Sequence, residues 1–268
     1  MRENSLCISA RVQTAQCCKG RQRKMVCIVL AAGYATRLYP LTENFPKPLL
    51  PVAEKPILNW LLDDLDKQPD ISQLVVISNH KFIEYFMDWQ KKQNYKKTIA
   101  ILDDGSTDNE HRLGAVKDIQ FVVDELHISD DLLVIAGDNV LDFSLGDFVA
   151  FAKEKKTACV MCHVEDNLKK QQKTAIIAKD GNGLITSYEE KPKQPKGNLA
   201  VPPFYYYRAK DAERIEEALA DGCSADAPGS FAAWLSHNTP MHAWQMSGKR
   251  YDIGDMRSYE NVQNVFNK

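Results

Sequence analysis

Hydrophobic positions along the chain follow two regimes. Up to about residue 155, short unbroken apolar runs alternate with stretches whose apolar residues recur every three or four positions. The runs are 26–30, 74–78, 98–102 and 132–136, each of a length suited to a buried strand. Between them, 57–67 places Ile57, Leu58, Leu61, Leu62 and Leu65 on one helical face, and 81–92 does the same with Phe82, Tyr85, Phe86 and Trp89. Further helices are predicted from about Leu113 and over 145–155. Such alternation predicts βαβ units with right-handed crossovers, and so an α/β fold with a Rossmann-like, mostly parallel sheet flanked by helices.

The second half changes character. Strands are predicted at 157–164, 174–180 and 184–191, the last two joined by Asp180-Gly181-Asn182-Gly183, whose Asp-Gly and Asn-Gly pairs mark a hairpin. Another strand lies within 198–208, followed by helices at 211–220 and 231–236. The sheet is therefore expected to be mixed, with a β-rich second half.

Composition narrows the class. A chain of 268 residues, 44% hydrophobic and 26% charged, fits one large domain. The first 24 residues stand apart, with six Lys/Arg against one Glu and three of the seven cysteines. They are read as a disordered leader or an upstream extension before a single domain at 25–268. No apolar run approaches the roughly 18 residues that cross a bilayer. The net charge of −2 gives no support to nucleic-acid binding. A soluble, cytoplasmic protein is expected. Cys159 and Cys162 form a CxxC, but on a strand side chains three apart point to opposite faces, so buried thiols are favoured over a metal or redox pair.

Candidate chemistry gathers where strands end. The run 26–30 leads into Ala31, Ala32 and Gly33, and Gly33 and Ala35 let backbone N–H groups approach an anion closely. Thr36 adds a hydroxyl and Arg37 a planar guanidinium suited to phosphate. Lys47 stands between Pro46 and Pro48, two rings that fix where its ammonium points. Farther on, 132–136 runs straight into Gly137, Asp138 and Asn139. A carboxylate at the C-terminal end of a parallel strand faces the crevice where open α/β sheets bind ligands, so Asp138 is a candidate ligand for Mg²⁺.

These residues, with Pro40 and Thr42, resemble the G-x-G-T-R-x-x-P-x-T and P-K-P signature of the sugar-phosphate nucleotidyltransferases, of which the glucose-1-phosphate thymidylyltransferases are an example. Ala35 replaces the family's second glycine. The resemblance implies transfer of a nucleotidyl group from a nucleoside triphosphate to a sugar 1-phosphate, with Mg²⁺ as cofactor and pyrophosphate as leaving group. It implies catalytic roles for Arg37 and Lys47, and nucleotide contacts from Ala32, Gly33, Thr36, Leu113 and Gly114. Glu190 and Lys191 would hold the sugar phosphate, and Asp252 would join Asp138 on the metal. The Gln or Glu that many members carry before the L-G-x-A segment has no clear counterpart; Asp103, Asp104, Asn109 and Glu110 compete. Pro203 and the stretch SADAPGSFAAWL depart from the sugar motifs, leaving the acceptor open. A cytidylyltransferase for phosphocholine or a phosphonate, or a non-catalytic nucleotide-sensing subunit, are the alternatives, and a homo-oligomer is left open.

Overall fold

The structure is a computed structural model, and it describes residues 24–267. Apart from Lys24, the segment read as a leader or extension lies outside the described residues. Ten strands form one twisted mixed sheet. Its parallel core places Met25–Leu30 between Ile71–Ser78 and Asp131–Ala136, with Thr98–Asp103 outside Ile71–Ser78. These four strands are the predicted apolar runs, lengthened by up to three residues.

Strand order therefore reverses between Met25–Leu30 and Asp131–Ala136, because the chain leaves the first strand on one side and returns on the other. Such a switch point opens a crevice beyond the carboxyl ends of the two strands. Beyond Asp131–Ala136 the sheet turns antiparallel through Phe204–Tyr207, then continues into Ala158–Val164 and, past Leu199–Val201, the hairpin Ala175–Lys179 and Ile185–Glu190. Met241–Gln245 adds a parallel strand beside Ala158–Val164.

Helices cover both faces, which gives the core two halves. Ile57–Leu65 presents Leu58, Leu61, Leu62 and Leu65 to one, and Ala115–Glu125 presents Val116, Ile119 and Val122 to the other. Cys159 and Cys162 fall in opposite halves, as the period of two requires. Both thiols are pushed up by burial. Two expectations are corrected. Tyr85 does not join the core face of Ile83–Gln90; it is 41% exposed and meets the Phe45 and Phe82 rings edge-on, because its phenol can stay in water where Phe82 and Phe86 cannot. The helix expected over 211–220 is broken into Ala209–Ala212 and Ile215–Ala220: Arg208 and Asp211 close a capping box on the first piece, and the chain restarts at Ile215.

Candidate active site

The crevice at the switch point holds a cavity of about 280 Å³. Its floor is the turn after the first strand. Ala31 donates its N–H to the Ile77 carbonyl, Asn79 Nδ2 donates to the Ala32 carbonyl, and the Tyr34 hydroxyl donates to the Ser106 carbonyl. Buried Thr42 donates to the Ala35 carbonyl at 2.8 Å. These bonds hold the loop without using the N–H of Gly33, and nothing lies within 4 Å of where a Cβ on Gly33 would stand. Ala35 does adopt a positive φ, 47°, so the family's glycine is replaced at a position that favours it.

Arg37 and Lys47 line the cavity, with Asp138 facing them. Lys47, almost buried, donates to Asp138 Oδ2 at 2.6 Å. Asn139, wholly buried, donates to Asp138 Oδ1 at 2.8 Å and accepts from Arg250 Nη1 at 2.7 Å. Burial alone would push the Asp138 carboxyl up, but the Lys47 ammonium and the Arg250 guanidinium outweigh it and hold the group below its ordinary value. The strand Arg250–Asp252 pairs antiparallel with Asn139–Leu141, setting Asp252 opposite Asn139 and so one register position from Asp138. Asp252 is more than half exposed, 3.5 Å from Arg250.

Carboxylates on neighbouring strands, one of them largely open to solvent, are of the donor type that suits Mg²⁺, which binds through one or two carboxylates and takes its remaining ligands from water and phosphate. Among the described residues, no group of three or more His, Cys, Asp or Glu side chains could hold a metal alone.

Other predicted residues are placed unequally. Ala32, Gly33 and Gly114 line the cavity, whereas Thr36, Leu113, Glu190, Lys191 and Asp252 do not. Glu190 still lies close by: a Cβ on Gly229 would come within 2.5 Å of its Oε2, and neighbouring Pro228 is in the cavity wall. Glu190 Oε2 is buried without a partner, and burial pushes its carboxyl up. Lys191 takes a left-handed φ of 46° and is exposed, its N–H tied to the Thr174 carbonyl. Gly114 is required for a reason other than a flat base. Its φ is 94°, and a Cβ there would meet the Ala225 carbonyl oxygen at 2.6 Å.

Sequence reasoning missed several wall residues: Arg112, Asp118, Asp226 and Pro228 line the cavity, together with Asp104, the one of the four competing residues that does so, and Gly254. Arg112 is paired with Asp226 at 2.6 Å. The carbonyls of Ala225 and Asp226 accept the first N–H groups of the helix Ala115–Glu125. Arg250 carried a usable signal, since on a strand it shares a face with Asp252 two positions on. The segment 223–228 offered only the impression of a loop.

A glycine turn, two cations and a paired carboxylate thus meet at the switch point of a mixed α/β sheet. Residues 26–268 match the family model described as nucleotidyl transferase, and the chain belongs to that family. It is 34% identical over 233 residues to the bifunctional protein GlmU of Methanococcus maripaludis, covering 86% of this chain and 51% of that one. To the UTP–glucose-1-phosphate uridylyltransferase AglF of Haloferax volcanii it is 30% identical, with 68% and 72% covered. A Sulfolobus acidocaldarius protein provisionally named mannose-1-phosphate guanyltransferase is 28% identical, with 88% and 61% covered. The chain thus spans about half to three quarters of the length of these relatives, whose names differ in both base and sugar. Among solved structures, a UDP-glucose pyrophosphorylase bound to UDP-glucose superposes with a TM-score of 0.77 at 19% identity, covering 91% of this chain and 98% of that one, a likeness of fold. No helix among the described residues is long and apolar enough to cross a membrane.

Proposed function

We propose that this chain joins a nucleoside triphosphate to a sugar 1-phosphate, giving a nucleotide sugar and pyrophosphate with Mg²⁺ as cofactor. The observation that carries the reading is the Lys47–Asp138 pair at 2.6 Å, set opposite the open N–H of Gly33 and the Arg37 guanidinium. In-line attack of a phosphate oxygen on the α-phosphorus needs no protein nucleophile. It needs positioning, and neutral surroundings for charge moving toward the leaving group.

Each residue then has a task. The turn amides and Arg37 hold the leaving pyrophosphate. Lys47 turns from Asp138 to the α-phosphate as the triphosphate enters, so the cation waits in place, already desolvated on one side. Asp138 and Asp252 would hold Mg²⁺, which when bound supplies charge neutralisation at the phosphate oxygens. Arg250, through Asn139, keeps the Asp138 carboxylate oriented and ionised. Glu190, behind the wall at Pro228, and Lys191 would serve the sugar hydroxyls and the incoming phosphate. The relatives' names include glucose, mannose and bifunctional members, so the sugar is left to experiment.

The test is pyrophosphate release across the common nucleoside triphosphates, each paired with hexose 1-phosphates and with phosphocholine, with and without Mg²⁺. Turnover with a hexose 1-phosphate that stops on chelation is expected. Turnover with CTP and phosphocholine alone would replace this reading with the cytidylyltransferase one. Binding of nucleotide with no turnover of any pair would make the chain a sensing subunit.

A further inference from the structure

The stretch SADAPGSFAAWL, which departs from the sugar motifs, spans the cavity wall at Asp226 and Pro228 and the start of the helix Pro228–Asn238. Pro228 stands first in that helix, where a missing N–H costs nothing, and Gly229 second. Gly229 is buried, and its φ lies outside the left-handed region, so the backbone itself would accept alanine. What a Cβ would meet there is side chain: Glu190 Oε2 at 2.5 Å and the Tyr205 hydroxyl at 3.3 Å. The empty place at Gly229 is the seat of a carboxylate.

Glu190 reaches that seat from the end of the strand Ile185–Glu190. Its Oε2 is enclosed there without a hydrogen-bond partner, while the residue as a whole is half-buried, so one oxygen is held and the other is left toward the open side. A carboxylate lodged against the first turn of a helix is favoured by the unpaired N–H groups and the dipole of that end, which offsets part of the cost of burial. The charge of Glu190 also acts on Tyr188 and Tyr205, buried tyrosines whose hydroxyls desolvation pushes up.

The geometry points to Gly229 as the positioning residue for Glu190: by carrying no side chain it seats one carboxylate oxygen in the first turn of the helix and leaves the other for the hydroxyls of the acceptor sugar. The assignment rests on the nucleotidyltransferase reading, in which Glu190 serves those hydroxyls. Alanine at 229 fills the seat. The atom it displaces first is the far end of a flexible side chain rather than backbone, so the fold takes the methyl group by moving the carboxylate. The acceptor then loses a charge-assisted hydrogen bond, and the nucleotide, held at Gly33, Arg37 and Lys47, does not.

Pyrophosphate release by the full chain with Mg²⁺ tests this in wild type, Gly229→Ala, Glu190→Ala and the double variant, with hexose 1-phosphates, glucose and mannose 1-phosphate first, and the nucleoside triphosphate varied in turn. In Gly229→Ala, KM for the acceptor should rise by about tenfold or more, the worth of one hydrogen bond to a charged group, while KM for the nucleotide stays unchanged. Glu190→Ala should show the same rise, and adding Gly229→Ala to it should change neither KM, because the group through which Gly229 acts is gone. No rise in Gly229→Ala, an equal rise in both backgrounds, or a matching rise in KM for the nucleotide would each overturn the inference while leaving the nucleotidyltransferase reading standing. Thermal melts cover the fold: should Gly229→Ala melt early, Glu190→Ala must restore it, and a double variant as unstable as the single one would overturn the inference as well. Wild type that turns over no hexose 1-phosphate would end both.

Discussion

Asp118 makes a prediction about folding that needs no substrate. Its carboxyl is pushed from the ordinary 3.8 up to about 7, first by burial and then by the charge of Asp104. In the unfolded chain the proton leaves near 3.8, so between that value and about 7 the native state binds more protons than the unfolded one. Native stability therefore falls as pH rises through this window and levels off above it. Each pH unit corresponds to about 1.4 kcal/mol, and three units give an upper figure of roughly 4 kcal/mol. Local relaxation and water in the cavity would reduce that to about 2 kcal/mol. Asp118→Asn keeps the shape and cannot ionise. Urea denaturation of wild type and variant at pH 5, 6, 7 and 8 should give a difference in stability that grows toward alkaline pH in favour of the variant, with the slopes of the transitions unchanged. Subtraction removes the contribution of His163, whose imidazole burial pushes down to about 4, since that term is common to both proteins. Stability differences that stay constant from pH 5 to 8 would refute the argument that a charged, unpartnered carboxylate is being held in the fold.

Two further outcomes are expected. Lys47→Met leaves Asp138 with Asn139 and the more distant Arg250; at 2.6 Å the bare attraction is about 6 kcal/mol at an effective dielectric of 20, and desolvation leaves a coupling of roughly 2 kcal/mol, to be read by a double-mutant cycle with Asp138→Asn. Turnover in Lys47→Met should fall by at least about a hundredfold, and a variant retaining more than half of wild-type kcat would remove Lys47 from the chemistry. Gly114→Ala places a Cβ 2.6 Å from the Ala225 carbonyl at a φ of 94°, so it should cost about 2–3 kcal/mol and weaken nucleotide binding together, seen by thermal melts with and without nucleotide.

The phosphate end of the site was legible in the sequence because its residues obey strong local rules. Apolar runs fixed the strands, a glycine turn follows one of them, and Asp138 follows another at a carboxyl end. Two prolines flag Lys47. The wall that holds Asp118 and Asp226 was not legible, since its residues come together only in space. Asp118 reads as an ordinary acidic residue in a first helical turn, with nothing to mark it as buried. Asp252 was reached through resemblance, and the sheet accounts for it through antiparallel pairing with Asn139. Arg250 bears no mark of its own in the sequence, and strand spacing alone links it to the acid two positions later. Tyr85 failed for the opposite reason: helical spacing put it with three core aromatics, but periodicity does not say how wide the buried stripe is.

The segment 223–228 is tied to the helix Ala115–Glu125 by main-chain carbonyls, those of Ala225 and Asp226, beside Cys223, which packs against the same half of the core. Contacts of that sort are indifferent to the residues that make them. This wall can therefore change its lettering while its path stays the same, whereas the strand that leads to Asp138 and the buried turn that holds Lys47 are locked into the sheet and the core. The lining of this wall and the packing that holds the fold are thus written on separate parts of the chain, so the side chain at Asp226 can be exchanged while the path of the backbone is kept.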